Sequence, residues 1–269
     1  MATMSAALLL LAALSGCTFD LAQATPVKKD EMIKWEPATA TWYGSPNGAG
    51  TDGGACGYGS LPNTPYGSDV GAGSPILFMN GIGCGTCFEV KCVDGQLCSP
   101  QPVNVVITDE CPGGYCSGGR THFDLSGTAF GKMASGSANI QHLLAAGVLN
   151  VLYRRAPCIY KSQGVVFQVA DGSTPFWFET VIRYLDGPGD LATVELQQFG
   201  SSAWQPMSQV WGANWCLNAG GGTPLRAPFS IRLTALQTGE KIIAHNVIPA
   251  NWAPQHSYST GVNFDTRNY

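Results

Sequence analysis

Thr121-His122-Phe123-Asp124-Leu125-Ser126 is the one place in the chain where an acid, an imidazole and an aromatic ring stand together between glycine-rich segments. Just upstream, Val105-Val106-Ile107-Thr108-Asp109-Glu110-Cys111 is an apolar, β-branched run that predicts a buried strand with a carboxylate at its exposed end. Asp109 and Asp124 can therefore face one cleft. Paired carboxylates in a groove are the apparatus of glycoside chemistry, in which one acid protonates the leaving oxygen and a second activates water or attacks carbon. The competing reading makes Asp124 the cap of a turn or helix start. His122 also has two readings, a general base or a structural group beside the site, and the structural one is preferred.

The 269 residues suffice for two domains, each with its own core. An apolar run at 6–14 followed by Ala22-Gln23-Ala24 has the form of a secretory signal, residues 1–24, cut after Ala24. It is too short to be a permanent membrane anchor. Residues 25–35 are polar and predict a flexible mature N-terminus. No other long apolar stretch follows, so a soluble secreted protein is expected. The 14 basic and 18 acidic residues, only Asp20 of which lies in the signal, make a charge-poor, weakly acidic surface. That balance argues against nucleic acid or an anionic membrane as partner and suits uncharged polysaccharides. No cofactor and no metal is called for.

Of the ten cysteines, Cys17 leaves with the signal, so at least one of the rest is unpaired in a monomer. All but Cys216 fall between Cys56 and Cys158, which places a disulfide framework in the N-terminal domain and leaves Cys216 alone in its half. Cys84-Gly85-Thr86-Cys87 read alone is a redox or zinc motif; in a secreted chain with no His at ligand spacing, structural bridges are expected instead. Short strands are expected at 38–44, 76–79, 87–92, 103–108 and 148–154, helices only at 128–134 and 137–144, and none in the Gly- and Pro-rich stretch up to Gly83. This outlines a small, mostly β, barrel-like domain over 36–158. After a linker at 159–163, alternating runs at 165–169, 176–178, 181–184, 192–196, 230–233 and 241–247 predict an antiparallel β-sandwich over 164–269. Five tryptophans fall in this half, at 177, 204, 211, 215 and 252. One sandwich core does not usually hold so many, so some are expected to be exposed, where planar rings stack on pyranose faces. Trp215 and Trp252 are assigned to the core.

The order Thr41-Trp42-Tyr43-Gly44, Asp52-Gly53-Gly54-Ala55-Cys56-Gly57-Tyr58-Gly59, Gly83-Cys84-Gly85-Thr86-Cys87-Phe88-Glu89-Val90, Thr108-Asp109, His122-Phe123-Asp124-Leu125 and Pro228-Phe229-Ser230-Ile231-Arg232 resembles the plant expansins, and among them the β-expansins related to group-1 grass pollen allergens. The resemblance implies an all-β chain, a six-stranded double-psi β-barrel similar to the family-45 endoglucanases followed by an immunoglobulin-like sandwich similar to the family-63 carbohydrate-binding modules. It implies bridges Cys56 to Cys84, Cys87 to Cys158 and Cys92 to Cys98; Cys111 and Cys116 are then extra and expected to pair with each other. It puts a groove at Thr41, Trp42, Tyr43, Asp52, Asp109, His122 and Asp124, and sugar-stacking aromatics at Trp177 and Trp211.

What the resemblance implies about activity is non-hydrolytic loosening of the plant cell wall at acidic pH. A secreted monomer would disrupt contacts between cellulose and matrix glycans such as xylan or mixed glucan. Asp124 matches the general acid of the hydrolases, while their catalytic base has no counterpart in expansins. The alternatives are an endo-β-glycanase with Asp124 as acid and Asp109 or Asp52 as base, and a passive wall lectin in which only the sandwich matters. Two departures stand out: the loop from Cys111 to Arg120 is lengthened beside the cleft, which bears on the glycan that fits, and the acidic balance differs from the basic pollen forms, which points to a vegetative one.

Overall fold

The computed structural model describes residues 34–161, 163–220 and 222–268; the expected signal, Cys17 and residues 25–33 of the expected N-terminal segment lie outside them. Six strands close a barrel: β1 (Glu36–Tyr43), β2 (Val70–Gly73), β3 (Cys87–Cys92), β4 (Val103–Glu110), β5 (His122–Ser126) and β6 (Leu149–Ala156), in the order β1-β5-β2-β4-β3-β6. The β1/β5 and β2/β4 pairs are parallel and the others antiparallel. Alternation along the strands sends Ala40, Val90, Val105, Ile107, Phe123 and Leu125 inward, all fully buried. Phe123 sits at the centre, its ring 5.4 Å from Phe88 and 5.3 Å from Tyr153.

Two expectations for the Gly-rich stretch are corrected. Residues Pro75–Phe78 form a helical turn, α1, rather than a strand, with Pro at its start and Met79 in the left-handed conformation at its end. Proline fits the first helical turn, where its missing N–H costs nothing, and α1 buries Leu77 and Phe78 under the barrel. Strand β2, Val-Gly-Ala-Gly, is absent from the sequence expectations. It is glycine-rich because it threads between neighbours: a Cβ on Gly71 would lie 2.9 Å from Leu125, and one on Gly73 2.8 Å from Leu77. The predicted helices are found as α2 (Gly127–Lys132) and α3 (Ile140–Ala146). Asp124 caps neither; it lies within β5, and Ser126 is the N-cap of α2, accepting from Ala129 N–H at 3.0 Å.

The C-terminal half is a sandwich of two antiparallel sheets. One has the order β10-β9-β13-β14, formed by β9 (Thr193–Gln197), β10 (Gln205–Pro206), β13 (Phe229–Thr234) and β14 (Lys241–Ile248). The other has the order β11-β12-β8-β7-β15, formed by β7 (Val166–Val169), β8 (Trp177–Arg183), β11 (Ser208–Trp211), β12 (Asn214–Asn218) and β15 (Ser257–Ser259). The two runs expected at 176–178 and 181–184 are thus one strand. Phe178 and Phe229 pack at 5.1 Å in the core, with Trp215 buried there and Trp252 edge-on to Phe178. Four disulfides, Cys56–Cys84, Cys87–Cys158, Cys92–Cys98 and Cys111–Cys116, are formed, and Cys216 is free and buried.

Barrel and sandwich share a packed junction. Val166, Val181, Tyr184 and Ala213 of the sandwich belong to the barrel's apolar cluster. Tyr58, Tyr66, Tyr160 and Tyr184 pack ring to ring across it at 4.5–5.6 Å. Arg155 of β6 pairs with buried Asp190 at 2.8 Å and also donates to Pro188 O and Gln237 Oε1. Burial raises the Asp190 carboxyl even against the pull of Arg155, so the pair itself adds little stability. Removing one partner is another matter, because the remaining charge stays buried. Asp190→Ala is expected to destabilise the junction by roughly 3 kcal/mol. Calorimetry would show this as a lowered, split transition, and a single transition at the wild-type temperature would contradict it.

Candidate functional site

The outward face of the barrel carries the polar residues that alternate with its core. In β1, Thr39, Thr41 and Tyr43 stand opposite His122, Asp124 and Ser126 of β5. Across β5, Asp124 stands opposite Ala72 of β2, and Ala72 stands opposite Asp109 of β4. Thr41, Asp124, Ala72 and Asp109 therefore form one row across four strands. Strand alternation alone would turn Asp109 inward with Ile107. A bulge at Thr108, where the register slips between Gly71 and Ala72, turns it out instead.

Hydrogen bonds hold this row in place. Thr41 Oγ1 donates to Asp124 Oδ1 at 2.7 Å and lies 2.9 Å from His122 Nε2, and Thr39 Oγ1 lies 2.6 Å from His122 Nδ1. The Asp109 Oδ1 atom accepts two backbone N–H groups, from Ala55 at 2.7 Å and from Glu110 at 2.8 Å. Gly54 has to be glycine there, since a Cβ would come within 2.6 Å of Thr108 O. Burial, and then the Asp109 and Asp124 carboxylates, push the Tyr43 phenol well above its ordinary value, so it stays a neutral donor. His122 is fully buried, covered by Tyr115, whose ring lies parallel to the imidazole at 5.8 Å. Tyr115 is 54% exposed and sits in the loop clamped by Cys111–Cys116.

Of the residues named from sequence, this face unites Thr41, Tyr43, His122, Asp109 and Asp124. Trp42 is not among them: alternation turns it to the other face of β1, where it packs on the core and donates to Leu144 O at 3.0 Å. Asp52 is exposed in the loop ahead of Ala55, with no hydrogen bond to the row. Thr39, Ala72 and Tyr115 are not among the residues named from sequence; the Thr-x-Thr alternation is the one signal for Thr39, and nothing local marks the other two.

On the sandwich, Trp177 stands opposite Asn218 and Trp211 opposite Asn214, and these two positions share one face of β12. Both tryptophans thus lie on the outer face of one sheet. Trp177 Nε1 donates to Glu179 Oε2 at 3.1 Å, and Trp211 is 49% exposed. The loop that pins Asp109 also reaches Trp211. Ala213 N donates to Cys56 O at 3.1 Å, and a Cβ on Gly57 would lie 2.8 Å from the Trp211 ring. Among the described residues no cluster of three or more His, Cys, Asp or Glu is arranged to hold a metal.

A family model described as a lytic transglycolase matches residues 70–153, and one described as the expansin C-terminal domain matches residues 165–249. Expansin-B16 of Oryza sativa subsp. japonica is 47% identical, covering 91% of this chain and 89% of its own. Expansin-B3 of Arabidopsis thaliana is 48% identical over 90% of both chains. The chain belongs to the β-expansins. The apo expansin of Clavibacter michiganensis shares the fold at 22% identity, with a TM-score of 0.62 over 84% of this chain and 96% of that one. A variant of that bacterial expansin has been solved in complex with cellohexaose, 21% identical to this chain over 86% of it and 98% of the variant, with a TM-score of 0.62. With its relatives, this expansin is a non-hydrolytic wall-loosening protein. No helix among its described residues is long and apolar enough to cross a membrane.

Burial pulls the His122 imidazole of this expansin below its ordinary value, and Asp124 pulls it back part of the way. A lowered folded-state pKa means that the unfolded chain binds the proton first as pH falls. The contribution of His122 to stability is therefore complete above its unfolded value of about 6.5 and is lost as pH falls through the folded one. In melting temperatures measured from pH 8 to pH 4, His122→Asn is expected to flatten the acid-side decline; an unchanged slope would refute the buried neutral ring.

Proposed function

We propose that this β-expansin is a secreted monomer that holds two polysaccharide segments at once and separates cellulose from matrix glycan without cutting either. One segment lies along Thr41, Tyr43, Asp124 and Asp109, and the other stacks on Trp177 and Trp211. The observation that carries the reading is the state of the second carboxylate. An oxygen that accepts two backbone amides has its lone pairs engaged. Asp109 Oδ1 is such an atom, committed to holding the Ala55 loop.

Asp109 and Asp124 flank Ala72, so their Cα atoms stand two strand spacings apart, roughly 10 Å. Asp124 can protonate or hydrogen-bond a glycosidic oxygen, but the partner needed to activate water is engaged elsewhere. Asp52, exposed and untied, has no such partnership either. The cellohexaose complex of the bacterial relative supports a β-glucan as one of the two ligands, and xylan or mixed glucan fits the role of the other.

Each aromatic stack contributes about 1 kcal/mol, weak enough to exchange. Two such grips on one rigid body reinforce each other through effective concentration. A neutral Asp124 can donate a hydrogen bond to a sugar oxygen and a carboxylate cannot, so loosening should belong to the acid form.

Creep of heat-inactivated grass wall under constant load, with released sugar assayed in parallel, tests the reading. Wild type should extend the wall faster at acidic than at neutral pH with no sugar released, and Asp124→Asn should lose the effect. Sugar release in step with extension would make the protein a glycanase, and full creep by Asp124→Asn would reduce it to a passive binder. Trp177→Ala with Trp211→Ala should weaken wall binding by about 2 kcal/mol, or roughly 30-fold; undiminished binding would move the contact off this face.

A further inference from the structure

We infer that Thr39, His122 and Thr41 form a one-way hydrogen-bond chain that fixes which oxygen of Asp124 carries the acid proton. The inference rests on the reading that Asp124 works in its protonated form. It assigns to Thr39 and His122 the part of positioning residues, neither general base nor glycan contact.

The direction of the chain follows from counting protons. Thr41 Oγ1 has one hydrogen and two partners, Asp124 Oδ1 at 2.7 Å and His122 Nε2 at 2.9 Å. A carboxylate only accepts, so the Thr41 hydrogen goes to Oδ1 and the hydroxyl oxygen must accept from Nε2. Nε2 therefore carries the imidazole proton. A neutral ring, which burial favours, leaves Nδ1 a bare acceptor. It takes the hydrogen of Thr39 Oγ1, 2.6 Å away. Every donor in the chain points toward Asp124.

When the groove acidifies, Asp124 gains a proton on one of two oxygens. Oδ2 can take it with nothing else moved. Placing it on Oδ1 would require the Thr41 hydroxyl to turn away: a hydrogen turned elsewhere gives up its acceptor, and one turned to Nε2 makes that nitrogen give up its proton, Nδ1 gain one and Thr39 turn in its place. That reversal would occur in a buried ring roofed by Tyr115. The proton accordingly resides on Oδ2, the oxygen that Thr41 does not hold. The other groups that face Asp124 do not compete for it. Tyr43 is held neutral, Asp109 is engaged with Ala55 and Glu110 two strands away, and Tyr115 lies over His122.

The decisive measurement is a two-bond ¹H–¹⁵N correlation on wild-type protein labelled at histidine, recorded from pH 4 to pH 7, with His122 assigned by its contacts to the Tyr115 ring. The expected result is the Nε2–H tautomer at every pH. An Nδ1–H form that grows in as the groove acidifies, or an imidazolium, would overturn the chain. A second readout is the pH at half-maximal wall creep. Thr41→Val removes a donor to the carboxylate and should raise that midpoint by about one pH unit, while Thr41→Ser should restore the wild-type midpoint. Equal midpoints in all three, with Asp124→Asn inactive, would refute the chain and leave the proposed function standing; an active Asp124→Asn would refute the function itself.

Discussion

The site depends on one constraint, the register with which β2 is inserted between β5 and β4. Ala72 meets Asp124 on one side and Asp109 on the other, and this places both carboxylates on one face. A slip of one residue would send either of them into the core, because side chains alternate with a period of two. Several features guard the register. Gly71 and Gly73 stand where a side chain would run into Leu125 and Leu77. Ile107 is tied by its amide to Thr86 O, and Cys111 by its amide to Gly73 O. The bulge at Thr108 then absorbs the residue that would otherwise leave Asp109 inside.

From the same place the barrel is coupled to the sandwich through three consecutive residues. Ala55 binds the Asp109 carboxylate, Cys56 bridges to Cys84 and accepts from Ala213, and Gly57 lies against the Trp211 ring. A shift of the aromatic face relative to the carboxylate row has to break this strip and the tyrosine cluster behind it. Linked sites gain affinity only when their spacing is compatible with simultaneous engagement, and a fixed junction meets that condition without a flexible linker. The Arg155–Asp190 pair adds direction more than strength, since much of its Coulomb gain offsets desolvation.

Much of this is legible in the chain, for reasons that can be named. The strands that carry apolar alternation, β3, β4 and β6 among them, can be read because their inner faces are apolar. Asp109 and Asp124 stand out because a carboxylate at the end of an apolar run is costly unless it is used. Strand β2 escapes such a reading since Val-Gly-Ala-Gly offers no period, its place being set by what surrounds it. Pro75–Phe78 misleads because a four-residue apolar run fits a strand or a helical turn equally, and the Pro at its start is the clue that decides it. Trp42 is drawn to the groove by adjacency to Thr41 and Tyr43, although alternation puts neighbours on opposite faces. The pairing of Thr41 with Asp124 joins residues 83 positions apart, and no local pattern encodes such a distance.

On the proposed reading Asp124 is the working acid, and the second carboxylate serves another purpose. Deleting Asp109 would leave the Ala55 amide without its acceptor and free the strip that positions Trp211. Its Oδ1 atom, held by two backbone donors, is committed to that scaffold. Burial, and then the negative charges of Asp109 and Asp124, make ionisation of Tyr43 unfavourable and so preserve a donor in the groove at every physiological pH. On the proposed reading the groove holds a glycan by hydrogen bonds that depend on a proton at Asp124, while the aromatic face, which has no charge to lose, keeps the second chain in place.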